Sequence, residues 1–363
     1  MTQISLDRNE NQYGPSPACY AVLKQARLEQ LSFYSRDFLL GRKSKLSYRL
    51  SQEIGIPEDR LLLSYGSEDM LKQVVHCYLN DTRTMLLPRQ SWWYYKSLAS
   101  EVHGKQVEYS LKEQGNRFIY DIHDLLRLYD LHKPQLILIA SPNNPTGNSI
   151  SQGDMETLLE HCRESVIVLD EAYRGFALES DDPVKKLLGT HKRLMVLRTF
   201  SKYYALAGLR IGYAYVGEDL TDLVKFSARY LGYNQLTERV ALAALDDPAY
   251  YRRIAQQMSD DKAIYSRELC KLDGFMPFLS DANFILVRYP VFHKKKFKDL
   301  LQQRGIFLKF LDDPGLEDCI RITIGTEEQN AAVIAAVREI ATTILGIPSL
   351  PAQPQLAGMP ASR

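Results

Sequence analysis

The chain has 363 residues, more than one hydrophobic core usually serves, so one large and one small domain are expected. Lys and Arg total 45 against 44 for Asp and Glu, a formal charge of +1 that leaves no electrostatic footprint for nucleic acid or an anionic membrane. Five scattered cysteines (Cys19, Cys77, Cys162, Cys270, Cys319) without a CxxC pair argue against a disulfide framework or a metal site, and for reduced thiols in a cytoplasmic protein.

The opening residues Met1-Thr2-Gln3-Ile4-Ser5 show no basic region followed by an apolar core, so no signal peptide is expected. No apolar run approaches membrane-spanning length. Residues 1–32 form a segment expected to pack with the smaller domain. From 33 to 246, short β-rich runs alternate with longer helical patterns. Strands are expected at 61–64, 84–87, 106–109, 135–140, 166–169, 194–199 and 211–216. Leu136-Ile137-Leu138-Ile139 and Val166-Ile167-Val168-Leu169 are continuously apolar, which suits strands buried on both faces. The pattern predicts a doubly wound α/β domain: three layers, α/β/α, around a mostly parallel seven-stranded sheet. Residues 247–346 read as a small α+β domain, with a long helix over 248–272, strands at 283–287, 307–309 and 319–324, and helices at 297–304 and 327–345. Residues 347–363 are rich in Pro, Ala, Gln and Ser and are expected to form a flexible tail.

The most informative run is Thr199-Phe200-Ser201-Lys202, continued by Tyr203 to Arg210. It places one amine between hydroxyls, with a guanidinium eight positions on. A lysine forms a Schiff base only if it can give up its proton, and hydroxyls with an arginine suit an anionic phosphate. A phosphate-bearing aldehyde tethered to a lysine is pyridoxal 5′-phosphate. In open α/β sheets, ligands sit beyond the carboxyl ends of the strands, and the other distinctive residues fall there too. The strand at 61–64 runs into Gly66-Ser67-Glu68, that at 135–140 into Asn143-Asn144-Pro145-Thr146-Gly147, and that at 166–169 into Asp170-Glu171-Ala172-Tyr173. Taken singly, each has an ordinary explanation: a helix cap at Ser67 or Asp170, a turn at Asn144, core packing for Tyr173 or Trp92.

A pyridoxal cofactor accounts for them together. Asp170 suits the protonated pyridine nitrogen. Asn144 and Tyr173 suit the phenolic oxygen. Ser67, Glu68 through its backbone, Thr199, Ser201 and Arg210 suit the phosphate. Trp92 suits the flat face of the ring.

These residues resemble the fold-type-I pyridoxal-phosphate aminotransferases and, within them, the histidinol-phosphate aminotransferase family. The likeness is carried by Leu6-Asp7-Arg8-Asn9-Glu10-Asn11-Gln12-Tyr13-Gly14-Pro15-Ser16-Pro17, by Ser141 to Gly147, by Asp170 to Tyr173, and by Ser201-Lys202 through Leu206-Ala207-Gly208-Leu209-Arg210. Asn283-Phe284 and Cys319 to Thr326 extend it over nearly the whole chain except the tail. The resemblance implies an aspartate-aminotransferase-like fold and a homodimer with active sites at the interface. It implies that Tyr34 reaches the cofactor phosphate of the neighbouring subunit, and that Arg321 grips an acidic group of the substrate. Tyr13, Lys309 and Asn144 are further substrate contacts by the same likeness. Three features depart from the family pattern. The Asn9-Glu10-Asn11 motif stands almost at Met1, where the family carries an arm with a tyrosine ahead of it. Lys309 occupies a common arginine position, and Gln90-Ser91-Trp92 replaces the usual Pro-Thr-Tyr.

The expected activity is transamination by a ping-pong route. Lys202 serves as cofactor anchor and general acid/base, with Asp170 and Tyr173 as its catalytic companions. The partners are a small amino donor, best matched by histidinol phosphate, and a 2-oxo acid such as 2-oxoglutarate. An aromatic or other free amino acid, or a specialised-pathway intermediate, is the alternative donor. A threonine-phosphate decarboxylase is the alternative reaction. A non-catalytic binding protein is disfavoured because every chemical position is filled, and a nicotinamide enzyme because no Gly-x-Gly-x-x-Gly follows a strand.

Overall fold

The computed structural model describes residues 3–178, 182–229 and 231–350. The larger sheet has seven strands in the order Leu61–Ser64, Gly212–Val216, Leu194–Thr199, Val166–Asp170, Leu136–Ala140, Thr84–Pro88 and Lys105–Tyr109. Gly212–Val216 runs antiparallel to both neighbours, and the remaining pairs are parallel. This is the mostly parallel α/β/α sheet expected from the apolar runs.

Alternation along each strand assigns the two faces. Ile137, Ile139, Ile167, Leu169, Leu194 and Val196 pack toward helices Lys45–Ile54, Gln152–His161 and Gln235–Leu245. Leu136, Leu138, Val166, Val168, Met195 and Leu197 pack toward helices Ser67–Tyr78 and Tyr94–Glu101. Both faces are therefore dry, as a parallel sheet requires.

The second sheet has five strands, ordered Ile4–Leu6, Ile306–Phe310, Cys319–Thr323, Phe284–Arg288 and Met276–Pro277. Helices Pro248–Leu269, Lys294–Gln303 and Glu327–Glu339 cover it. The strand at Ile4–Leu6 joins it in parallel with Ile306–Phe310. Residues 1–32 were expected to pack with this smaller unit, but the described part divides. Helix Pro17–Lys24 lies instead on Gln235–Leu245 of the larger one, where Cys19 is buried with its thiol 3.6 Å from the Val240 carbonyl. The start of the expected tail is also paired: Asp273 N–H donates to Pro348 O at 3.0 Å and Leu350 N–H to Lys271 O at 2.7 Å. The rest of that tail, 351–363, lies outside the described residues.

An unexpected hairpin, Leu111–Gln114 with Arg117–Tyr120, turns at Gly115, whose φ is +61°. It ties the two sheets together. Glu113 forms a two-pronged pair with Arg288, both contacts at 2.8 Å, and Asn116 O accepts from Leu279 N–H at 2.8 Å. Among the described residues, no helix is long and apolar enough to cross a membrane.

Phe297 is 1% exposed and packs between Phe275, Tyr289 and Phe310 in the smaller core. Phe297→Ala is expected to cost about 3–5 kcal/mol of stability, the usual range for emptying a buried aromatic site. Urea unfolding followed by circular dichroism reads this as a lowered midpoint. A loss below about 1 kcal/mol would show that the site collapses around the gap.

Candidate active site

Strand ends from both sheets meet at a cavity of about 550 Å³. The larger sheet supplies Asp170 at the end of its strand, Thr199 at the end of the next with Ser201 and Lys202 just after it, and Asn144 from the loop behind Leu136–Ala140. The smaller sheet supplies Lys309 and Arg321. Asp7 to Glu10, following the first strand, close the remaining side.

Asp170 is 3% exposed, and its carboxylate accepts from Tyr95 Oη at 2.8 Å and from the Ala172 N–H at 2.9 Å. Burial lifts this carboxyl to about 6, although both hydrogen bonds pull it down. The Lys202 amine donates to the Arg8 carbonyl at 3.1 Å and sits 5.8 Å from the centre of the Tyr173 ring. Its hydrogen-bond partner is a neutral carbonyl. Burial first, then the Arg321 and Arg210 charges, bring its ammonium down to about 8, with Glu10 opposing. A large neutral fraction at mildly alkaline pH follows, which a nucleophilic amine needs.

Tyr173 Oη accepts from Asn9 Nδ2 at 2.9 Å, which leaves its own proton free to donate. Asn144 Oδ1 accepts from Arg321 Nη1, which leaves the Asn144 amide nitrogen as a donor. Arg321 Nη2 donates to Asp7 O at 2.6 Å, and Nε is buried without a partner among the described residues. Lys309 stands directly across the strand pair from Arg321, so both cations occupy one face.

Opposite this pair lies an anion cradle. Gly66, at φ +84°, caps helix Ser67–Tyr78, so the cap falls to the glycine and Ser67 becomes the first helical residue. A Cβ on Gly212 would lie 2.6 Å from the Gly66 carbonyl carbon and the Ser67 nitrogen, and one on Gly66 would lie 2.5 Å from Arg210 Nη2. The bare backbone at both positions is what lets Arg210 and the helix N-terminus share one spot. The Thr199 and Ser201 hydroxyls are 2.9 Å apart beside it, and Glu68 Oε2 lies 3.6 Å from Arg210. Trp92 lines the cavity wall, propped by the rings of Tyr94 and Tyr95 at 4.9 and 5.7 Å.

Tyr34 is expected at a neighbouring subunit's site, and Tyr13 is not brought here. Tyr34 is 69% exposed and lies outside the cavity of its own chain. Tyr13 is also outside: its ring packs against the smaller core, and its phenol is pushed up to about 12 by burial and by Asp261. The cause is local, since the Asn11 side chain takes the Tyr13 N–H at 3.1 Å in a tight turn that aims the ring away. Conversely, Tyr95, Trp93, Arg8 and Glu10 line the cavity without having been expected. Tyr95 belongs to an aromatic run on a helix and carries no sequence mark beyond that of a core residue.

The family model for aminotransferases of class I and II matches residues 1–337. The histidinol-phosphate aminotransferase of Roseiflexus castenholzii is 33% identical over 342 residues, 93% of this chain and 90% of that one. The chain belongs to the class I and II aminotransferases. It is a fold-type-I, pyridoxal-phosphate-dependent transaminase. The histidinol-phosphate aminotransferase of Bacillus subtilis strain 168 is 32% identical over 340 residues, 93% of this chain and 91% of that one. A crystal structure of the Sinorhizobium meliloti histidinol-phosphate aminotransferase in complex with pyridoxal-5′-phosphate aligns with a TM-score of 0.83 at 21% identity, covering 94% of this chain and 91% of that one. The L-threonine-O-3-phosphate decarboxylase of Porphyromonas gingivalis shares the fold at a TM-score of 0.77 and 20% identity, covering 93% and 99%.

The cavity of this aminotransferase fits the cofactor. It holds a buried acid at Asp170, an amine at Lys202 whose ammonium is brought down to about 8, and a cradle at positions 66 and 212 that leaves no room for a Cβ.

The buried acid predicts a pH signature for the aminotransferase without its cofactor. The rise from 3.8 to about 6 corresponds to a folding cost of about 3 kcal/mol. The native state holds the proton more tightly, so the cost is absent below pH 3.8, grows as the pH rises, and is complete above about 6. Cofactor-free Asp170→Asn is therefore expected to be more stable than wild type at pH 8, with the gap closing toward pH 4. Parallel urea titrations across that range check this. A gap that widens on acidification would contradict the assignment.

Proposed function

We propose that this aminotransferase takes the amino group of histidinol phosphate and passes it to a 2-oxo acid such as 2-oxoglutarate. The observation that carries the reading is the placement of Arg321 and Lys309 side by side on the wall of the cavity that also holds Lys202. Two adjacent cations suit a dianionic phosphate on the donor. A single carboxylate of the acceptor requires only the Arg321 fork. Relatives named histidinol-phosphate aminotransferase, at 30–33% identity along most of the chain, support the same substrate.

When bound, pyridoxal phosphate supplies an electron sink for the bond broken at the donor Cα. In this reading Asp170 keeps a proton on the cofactor's ring nitrogen, and Tyr95 orients that carboxylate. Tyr173 and Asn144 donate to the phenolic oxygen with the hydrogens that Asn9 and Arg321 leave free. Gly66 to Glu68, Thr199, Ser201 and Arg210 hold the phosphate. Trp92 packs on the ring. Lys202 Nζ would hold the cofactor's aldehyde and, as a free amine, would take the proton from the donor Cα as a general base.

The proposed enzyme is a cytoplasmic homodimer. Leu28, Leu31, Phe33, Tyr34, Phe38, Leu39 and Leu40 are all exposed within one short stretch, an apolar surface of the kind that a second copy covers. Tyr34, in the middle of that stretch, would then complete the phosphate site of the neighbouring subunit. The structural likeness to the threonine-phosphate decarboxylase sustains one rival reaction on the same anion-binding wall.

A panel of donors with 2-oxoglutarate, read by conversion of the cofactor to its amine form, tests the proposal. Histidinol phosphate is expected to exceed phenylalanine and tyrosine in kcat/KM by at least about 100-fold, the worth of about two charge-assisted contacts. Equal rates with the free aromatic amino acids would exclude the phosphorylated donor. Carbon dioxide release from threonine phosphate, without need of an oxo acid, would select the rival. Sedimentation of the same preparation is expected to give about twice 41.6 kDa, and a monomer would remove Tyr34 from the site.

A further inference from the structure

Successive side chains of a strand point to opposite faces. Asp170 and Thr199 line the cavity, so their chain neighbours Glu171 and Arg198 fall on the reverse face of the sheet. There they meet. The Glu171 N–H donates to Leu197 O at 2.8 Å, and Arg198 Nε donates to Glu171 Oε2 at 2.7 Å. Arg198 also grips Asp182 with two contacts of 2.6 and 2.8 Å, and its guanidinium lies 5.3 Å from the centre of the Tyr215 ring. Arg174 reaches Glu171 at 3.3 Å. Glu171 is 6% exposed and Arg198 7%. Neither touches the active-site cavity, and the mechanism above uses neither.

A buried carboxylate needs a cation, and a second carboxylate one residue away makes the need greater. Among the described residues, the phenols of Tyr95, Tyr120 and Tyr173, the Ala172 N–H and, from the reverse face, the Glu171 carboxylate act on Asp170. Glu171 is the one of these that urges Asp170 to keep a proton, besides burial itself. Arg198, at 2.7 Å, is the nearer of the two cations set against it, with Arg174 at 3.3 Å.

We propose that Arg198 is a positioning residue for the cofactor's ring. From the reverse face of the sheet its guanidinium cancels Glu171, so that Asp170 cedes its proton to the ring nitrogen. The inference rests on the reading that Asp170 faces that nitrogen. It gives a charge network behind the sheet a direct part in the electronics in front of it.

The test compares pyridoxal phosphate binding by cofactor-stripped protein. Arg198→Met is expected to weaken binding by about tenfold or more, and Arg198→Lys by no more than about threefold. Adding Glu171→Gln to Arg198→Met is expected to restore most of the affinity, because the charge that Arg198 opposed is gone. A cofactor analogue with C–H in place of the ring nitrogen is expected to bind wild type and Arg198→Met alike. Unchanged binding by Arg198→Met, failure of Glu171→Gln to restore it, or equal weakening of the analogue would each overturn the proposal. If Arg198→Met does not fold, Glu171→Gln alone decides. It is expected to stay within about threefold of wild type, and a tenfold loss would show that the pair acts by holding the backbone. Wild-type protein that binds no cofactor would instead defeat the reading of the site itself.

Discussion

A lysine ammonium is costly where it is cut off from much of the surrounding water and a guanidinium stands beside it. Lys202 is placed in that situation. Its amine faces a neutral carbonyl at Arg8, with burial and the Arg321 charge acting against the ammonium and Glu10 opposing Arg210 behind them. The chemistry proposed for this aminotransferase depends on that imbalance, because an amine that held its proton firmly could neither bond to an aldehyde nor act as a base.

The fold creates the imbalance by bringing three parts of the chain to one rim. Parallel strands end together on the larger sheet, and the smaller sheet delivers Arg321 and Lys309 across the cavity. The segment after the first strand lays Asp7 to Glu10 over the top. The join between the sheets is tight. The Asp281 N–H donates to Gly147 O at 2.7 Å, and a Cβ on Gly147 would come 2.3 Å from Ser280 Oγ. Lys262 holds the same loop from behind, donating to Ser280 O at 2.6 Å and Ala282 O at 3.0 Å. These contacts set the loop that carries Asn144 against the turn leading into Phe284–Arg288, the strand paired with the one that carries Arg321.

Much of this was legible in the residues. The central strands announced themselves as continuous apolar runs, as at Leu136–Ala140 and Val166–Asp170, whereas Lys105–Tyr109 is a half-exposed edge strand; Lys202, Asp170, Asn144, Tyr173 and Arg210 stood at strand ends where a parallel sheet gathers ligands. What escaped was short or non-local. Ile4–Leu6 and Met276–Pro277 are too brief to show a period; the first exists through pairing with the distant Ile306–Phe310, the second through pairing with Phe284–Arg288, the strand that follows it. Tyr95 looks like any core aromatic until the fold aims its hydroxyl at Asp170. Tyr13 sits in a motif that points toward the substrate, yet a turn set by Asn11 sends it into the smaller core. The Arg198 network was invisible because its meaning comes from which face of the sheet each side chain takes.

The most direct test of the account is chemical trapping. The holoenzyme is reduced with borohydride, digested and mapped by mass spectrometry. The account predicts a phosphopyridoxyl group on Lys202 and on no other lysine. Modification of Lys309 or another amine, or none at all, would contradict it.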